Sequence, residues 1–413
     1  AAQWAKLERY RALLESDEMV PAMADRLMQA RNRLAGKART LRDGVPTLDR
    51  VFALANPAVV PDAVAVEPGD KVALRQALGQ ILGYLNQESG GAILVGAADL
   101  LGSTAISDAS AGFPAGFYHR TSNPGARSLS VGGICEDGLS CVLSGVSAFG
   151  THLGAVASYG AFLAPLGHIP ARLHAIGNQM RQETEPGPYR PFMLVCAHAG
   201  MKTGEDGPTH ADPQALQVLQ ENFVPGTAIT LTPWEPAEVW PLVAAALRAR
   251  PAIIAPFVTR PGEIVPDRSA LGLAPASAAL QGIYKLRSAT GTPDASLVLQ
   301  GSAVTYAFVD ETLPLLEDAG IDLDVYLVTS AELFDQLSLA EQRAIFPEEA
   351  SRRAIGITDF TLPTIYRWIR GERGRAHTMY PFQRGRYLSS GVGDMVVHEA
   401  GLCLLYTSDA ADD

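Results

Sequence analysis

Residues 128–150, SLSVGGICEDGLSCVLSGVSAFG, decide how this chain is read. The stretch opens with a short β-like run, 128–131. A Gly132-Gly133 turn follows, and then an apolar pattern at helical spacing that places Leu139, Val142, Leu143 and Val146 on one face. Glu136 and Asp137 stand in the first turn of that expected helix, where the peptide dipoles favour negative charge. Polar residues are thin on either side, so Glu136 is expected to be partly buried. A buried carboxyl without a cation beside it holds its proton more tightly, which suits it to share that proton with a ligand nitrogen. The stretch alone is also satisfied by an ordinary first-turn carboxylate.

Outward from this stretch, 413 residues suffice for two or three domains with real cores. Lys and Arg number 33 against 44 Asp and Glu, a net charge of −11 with no basic cluster, which argues against a nucleic-acid partner. No apolar run approaches the ~20 residues of a membrane span and no signal peptide is evident, so a soluble protein without a membrane partner is expected. The four cysteines, Cys135, Cys141, Cys196 and Cys403, are not paired at metal spacing. Three fall in apolar runs and read as small buried thiols, as expected of a protein kept in a reducing cytoplasm.

Residues 1–42 carry Trp4, Leu7, Tyr10, Leu14, Met23, Leu27 and Leu34 at three- and four-residue spacing, which predicts helix. Residues 44–69 hold four prolines and little periodicity and read as a connector. A helix is expected from Asp70, as N-cap, with Leu74, Leu78, Ile81 and Leu85 inward and Arg75 beside that face. Residues 92–96, AILVG, form a short apolar strand that runs into ADLLGST, an Asp followed by small and hydroxylated residues. Phe162 lies in a Gly/Ala-rich context where its ring could meet a flat ligand, although a core Phe is the commoner case. Strands and helices alternate onward to residue 255, which predicts a parallel sheet. A second connector at 263–294 and a further α/β unit follow.

The most specific local signal is GEDGPTH, 204–210, after the strand-like PFMLVCAH of 191–198. Two glycines and a proline set a tight loop there. Glu205, Asp206 and His210 lie in it and His198 at the end of the strand, a polar constellation whose spacing matches no zinc pattern.

With Glu136, Phe162, His198 and GEDGPTH in this order, the chain resembles the transketolase family, which uses thiamine diphosphate. The resemblance spans about residues 1–405. It implies two consecutive parallel-sheet α/β domains, a pyrimidine-binding domain at 70–262 and a C-terminal domain at 295–404, preceded by a helical segment and linker at 1–69. It implies transfer of a two-carbon ketol unit from a ketose or ketose phosphate to an aldose or aldose phosphate. Position by position, Glu136 matches the glutamate that shares a proton with the cofactor's aminopyrimidine, and Phe162 a ring that stacks on it. Asp99 matches an aspartate beside the cofactor at a subunit interface. Arg75, Ser103 and His198 match groups that hold a sugar phosphate, while Asp206 and His210 match residues near the reacting carbon. Glu136 and His210 are the implied catalytic pair. The C-terminal domain is implied to be structural and dimer-forming.

Several positions depart from the family pattern. Cys135 and Asp137 flank the glutamate where Arg and His are usual. Pro165 and His168 stand at two aromatic positions of the pyrimidine pocket. Val258 stands near where the family has a second phosphate-binding arginine, and Arg260 is the nearby residue that could replace it. The GDG motif that holds the diphosphate and its Mg²⁺ or Ca²⁺ is absent from this sequence, so the chain is expected to carry half of a cofactor site. Either the diphosphate-binding portion is a separate chain or the reading frame is incomplete. The Met-less start and the tail at 405–413, which reads as translated adapter, favour the second reading. A homodimer, or pairing with a diphosphate-binding lobe, would complete the site. The rival readings are a 2-oxoacid dehydrogenase β-type subunit, against which GEDGPTH argues, and a non-catalytic subunit that keeps the fold for assembly or regulation.

Overall fold

Short apolar runs alternate with helices through the centre of the chain, and such strands are stable when helices cover both faces of their sheet. The computed structural model describes residues 2–37, 44–163, 167–202, 213–388 and 393–401. The chain divides into two units, Ala1–Val45 and Pro46–Asp413.

The first unit holds two helices, α1 (Ala2–Leu14) and α2 (Met19–Gly36). The expected helical spacing is realised. All seven of its apolar markers, Trp4 to Leu34, are exposed within that unit.

The second unit begins with more order than its prolines suggest. Within 46–69 lies α3 (Leu48–Leu54), and Leu48, Val51, Ala55 and Val64 are buried. Trp240 donates its indole N–H to the carbonyls of Asn56 (3.1 Å) and Val59 (2.8 Å), which ties this stretch to the sheet domain. Strand β1 (Lys71–Ala73) then pairs antiparallel with β7 (Gly262–Ile264). Helix α4 (Leu74–Glu88) starts only after it. Asp70 is therefore not the N-cap. Its carboxylate accepts from the N–H of Glu67 at 2.9 Å, and the N–H of Ala73 is met by Gln76 Oε1 at 3.1 Å.

The first sheet comprises β2 (Ile93–Ala97), β3 (Leu153–Ser158), β4 (Phe192–Cys196), β5 (Ala228–Leu231) and β6 (Ile253–Pro256), in the order β2-β3-β4-β6-β5 and parallel throughout. Helices α5 (Glu136–Phe149), α6 (Arg172–Gln182) and α7 (Val239–Ala249) link its strands. Part of the β-like run read from the sequence extends this sheet. The N–H of Val95 donates to Arg127 O at 2.9 Å, and the N–H of Leu129 donates to Val95 O at 2.7 Å.

The second sheet orders β8 (Ile283–Arg287), β9 (Ala295–Gln300), β10 (Leu323–Val328) and β11 (Ala354–Thr358) as β11-β9-β10-β8. Three strands are parallel, as expected. The fourth, β8, comes from the stretch read as a connector and adds antiparallel to β10, so this sheet is mixed. Helix α8 (Ser302–Ala307) follows β9 and continues through a π turn.

The two sheet domains share one core. Trp234 stacks its ring 4.9 Å from that of Tyr306, Ser302 Oγ donates to Trp234 O at 2.7 Å, and the N–H of Thr232 donates to Thr329 O at 2.7 Å. Beside them lies a buried polar cluster. Arg268 reaches Glu235 (2.8 Å) and Glu238 (2.8 Å), and the hydroxyl of Tyr284 donates to Glu238 at 2.6 Å. A single cation thus holds two buried carboxylates at the seam. Full burial of each large apolar side chain there contributes about 1.5–3 kcal/mol.

Candidate active site at the carboxyl edge of the first sheet

In a parallel α/β sheet the chain leaves every strand at its carboxyl end and enters the following helix there, so strand ends and helix N-termini share one edge. Arg75 opens α4, Asp99 and Ser103 follow β2, Glu136 opens α5, Phe162 follows β3, His198 follows β4 and Arg260 follows β6. One edge therefore carries all of these side chains, although they come from distant parts of the sequence.

The seat of Glu136 is set by how α5 meets β3. The helix buries Leu139, Ser140, Leu143, Ser144 and Ser147. Val142, expected inward, is 45% exposed. Serines take the inner face because the contact is close. A Cβ added to Gly154 of β3 would lie 2.1 Å from Leu143 O, and Ser147 Oγ accepts the Gly154 N–H at 2.8 Å. Glycine on the strand and serine on the helix are what permit this approach. Glu136 itself is half-buried, between exposed Cys135 and exposed Asp137.

Three of the sequence-predicted residues meet directly. Arg75 Nη1 donates to the carbonyl of Ser103, lies 3.4 Å from Ser103 Oγ and stands 3.3 Å from His198 Nε2. His198 is fully buried, while Arg75 and Ser103 are half-buried. The backbone N–H of Arg75 donates to Thr259 O at 3.2 Å, which brings half-buried Arg260 to the same corner; Val258 is buried. A guanidinium, an imidazole and a hydroxyl converging in this way are the donor set that anionic oxygens require.

Tyr159, one residue beyond β3, was not singled out from the sequence. Its ring lies 4.1 Å from that of His198 and 6.3 Å, edge-on, from that of Phe162. It thereby links the arginine corner to Phe162, which is 37% exposed. An aromatic residue directly after a fully buried strand was the signal available. Asp99 is exposed and its carboxylate accepts its neighbour Leu100 N–H at 2.8 Å; it does not join the arginine corner. The GEDGPTH segment, with Asp206 and His210, lies outside the described residues, as do Pro165 and the side chain of His168.

Among the described residues no group of three or more His, Cys, Asp or Glu side chains could hold a metal ion, and no helix is long and apolar enough to cross a membrane. Cys196 is buried as expected. Cys141 is exposed because it lies on the outer face of α5, and Cys403 lies outside the described residues.

Comparison with known proteins bears on this edge directly. The model of the transketolase pyrimidine-binding domain matches residues 70–257, and that of the transketolase-like C-terminal domain matches residues 282–387. The chain belongs to the transketolase family. It is 27% identical over 259 residues to transketolase 1 of Pasteurella multocida, covering 60% of this chain and 35% of that protein. It is 28% identical over 224 residues to transketolase 2 of Xanthobacter flavus, covering 52% and 28%. Among solved structures, a transketolase mutant from Pichia stipitis superposes with a TM-score of 0.68 at 19% identity, over 88% of this chain and 49% of that one. Transketolase from Campylobacter jejuni gives 0.65 at 20% identity, over 87% and 49%. The chain thus spans about a third of the length of these curated relatives and about half of the solved chains. The matched stretches of this transketolase-family chain contain its five-stranded and four-stranded sheets, and the candidate edge lies in the first of these.

Proposed function

We propose that this chain supplies the pyrimidine side of a thiamine diphosphate site in a transketolase-like transferase. The enzyme would move a two-carbon ketol unit from a ketose phosphate to an aldose phosphate. The reading is carried by the corner where Arg75, Ser103 and His198 converge beside Phe162, on the sheet edge where Glu136 stands. It is supported by the family to which the chain belongs.

The residues present fit the cofactor's pyrimidine half. Glu136 is half-buried, so its carboxyl is accessible yet partly withdrawn from water, and the ring of Phe162 has an open side for stacking. When bound, thiamine diphosphate supplies the nucleophilic carbon and the electron sink for cleaving a bond beside a carbonyl. Glu136 holds a proton at the ring nitrogen and Phe162 orients the ring. Arg75, Ser103 and His198 bind the sugar phosphate, and Asp206 and His210 contact its hydroxyls near the reacting carbon. Asp99, exposed after β2, would border the cofactor on the side where a partner approaches. His168 stands at a sequence position that matches an aromatic residue of the family's pyrimidine pocket.

Mg²⁺ or Ca²⁺ and the diphosphate would be held by a further lobe, since the sequence has no GDG motif. That lobe comes from a separate segment, a separate chain or a homodimer partner in the cytoplasm. Exposed apolar side chains along two helices, Val142 and Phe149 of α5 and Leu173, Ile176 and Met180 of α6, support such a partner.

The test is complementation. The chain alone should be inactive, and addition of a diphosphate-binding transketolase lobe should give ketose-to-aldose transfer. Turnover of pyruvate with an artificial electron acceptor, without ketol transfer, would instead identify a 2-oxoacid dehydrogenase subunit. No turnover with either substrate pair would reduce the chain to a non-catalytic role.

A further inference from the structure

Asp359 follows β11 in the second sheet domain, and its side chain also borders the first. It is buried, and its carboxylate accepts the backbone N–H groups of Ala303 at 2.7 Å and Val304 at 3.0 Å, at the start of α8. Two glycines with positive φ enclose it. A Cβ added to Gly301 (φ +109°) would lie 2.5 Å from Asp359 Cβ. One added to Gly200 (φ +67°) would lie 3.0 Å from Asp359 Cβ and 3.2 Å from its Oδ2. Gly301 belongs to the same domain as Asp359. Gly200 belongs to the other and stands two residues after His198.

The residues next to Asp359 grip the same edge. The ring of Phe360 packs edge-on at 6.0 Å from that of Phe257, just beyond β6, and Thr361 Oγ1 donates to Gln217 Oε1 at 2.7 Å. On the opposite side, Lys202 is bound to Glu263 at 2.9 Å. The segment from His198 to Lys202 thus meets Tyr159 and Arg75 at its start, lies against Asp359 in its middle and is bound by Glu263 at its end. Ionised groups facing Asp359 are Lys202, which favours the carboxylate, and Glu263, which opposes it; Asp310 lies within the field of the same lysine. Burial outweighs them and holds the Asp359 carboxyl up to about 7.

We propose that Asp359 is a positioning residue, through which the second domain holds the segment 198–202 where His198 meets Arg75. A carboxylate pinned by two N–H groups and flanked by two glycines has one place to sit, so a shift on either side is transmitted to Gly200. The consequence for substrate binding rests on the reading of His198 given above; the positional claim rests on the contacts alone. The C-terminal domain then has a part in shaping the site, beyond structure and dimer formation.

The test uses the full chain without cofactor, comparing Asp359→Asn with the parent by hydrogen–deuterium exchange and by the ring resonance of His198 in histidine-labelled protein. Backbone amides of 199–202 should exchange at least ten-fold faster and the His198 resonance should shift, while β3 exchanges at the parent's rate. A rise confined to 301–305, or one equal across both sheets, with His198 unmoved, would overturn the proposal. Should Asp359→Asn fail to fold, Gly200→Ala presses on the same joint from the other side. The same amides and resonance must respond, and their silence would be equally fatal. Neither readout involves thiamine diphosphate, so failure here leaves the cofactor reading standing, and failure of cofactor binding leaves this one standing.

Discussion

Replacing Arg268 by Met removes the cation from the seam between the two sheet domains while keeping most of the side-chain volume. The guanidinium is 9% exposed and holds Glu235 (1%) and Glu238 (0%) at 2.8 Å each, and it also donates to Ala274 O at 2.9 Å. Breaking a buried ion pair from one side costs about 3–5 kcal/mol, because the remaining charge has no partner. Here two carboxylates are left, so the upper half of that range is expected. For a unit of this size each kcal/mol lowers the thermal midpoint by roughly 2 °C, a fall of about 8–10 °C. The loss should depend on pH. Burial already pushes the Glu235 carboxyl up, in excess of what Arg268 pulls it down. Without Arg268 the rise is larger. A carboxyl raised in the folded state takes up protons on folding, so its contribution is complete below its ordinary value and is lost as pH rises. The deficit of Arg268→Met should therefore be small at pH 5 and full at pH 8 in urea denaturation. Adding Glu235→Gln and Glu238→Gln should recover most of it. A deficit below about 1 kcal/mol at pH 8, or one equal at both pH values, would show that Arg268 does not hold these two carboxylates at the seam.

Gly154→Ala should cost about 1–3 kcal/mol in chemical denaturation, since its Cβ would press on Leu143 O and push α5 from β3; a neutral result would contradict the close seating of that helix. Asp359 has a folded carboxyl at about 7 against an ordinary 3.8, so stability should fall as pH rises through that window. At 1.36 kcal/mol per unit the fall is about 4 kcal/mol at most, and Asp359→Asn should flatten it; an unchanged slope of the urea midpoint against pH would contradict this. In the complemented enzyme, Arg75→Ala should raise KM for a phosphorylated ketose about ten-fold or more, leaving an unphosphorylated ketose little affected; equal effects on both would remove Arg75 from phosphate binding.

Much of the architecture was legible because buried parallel strands announce themselves as unbroken apolar runs. AILVG at 92–96 and PFMLVC at 191–196 each became a strand of the first sheet. The candidate edge was legible through its order of chemical groups, and Arg75, Ser103 and His198 do meet. What sequence patterns concealed has physical causes. Three serines share the inner face of α5 with two leucines because Gly154 of β3 lies close against it, so an apolar count selected Val142 instead. The helix α3 was masked by surrounding prolines, although Leu48, Val51 and Ala55 keep helical spacing. Strand β8 has Lys285 and Arg287 among its apolar residues and sits at a sheet edge, where such charges are tolerated. The partnership of Asp359 with Gly200 joins residues 159 positions apart and left no local signal.

The central claim is that Glu136 is the proton partner of a thiamine ring. Calorimetric titration of thiamine diphosphate with Mg²⁺ into the chain paired with a diphosphate-binding lobe, parent against Glu136→Ala, tests it most directly. Binding should be weak to the chain alone, tight to the pair and at least a hundred-fold weaker in the variant. Equal affinity of parent and variant for the cofactor, with both pairs assembled, would contradict it.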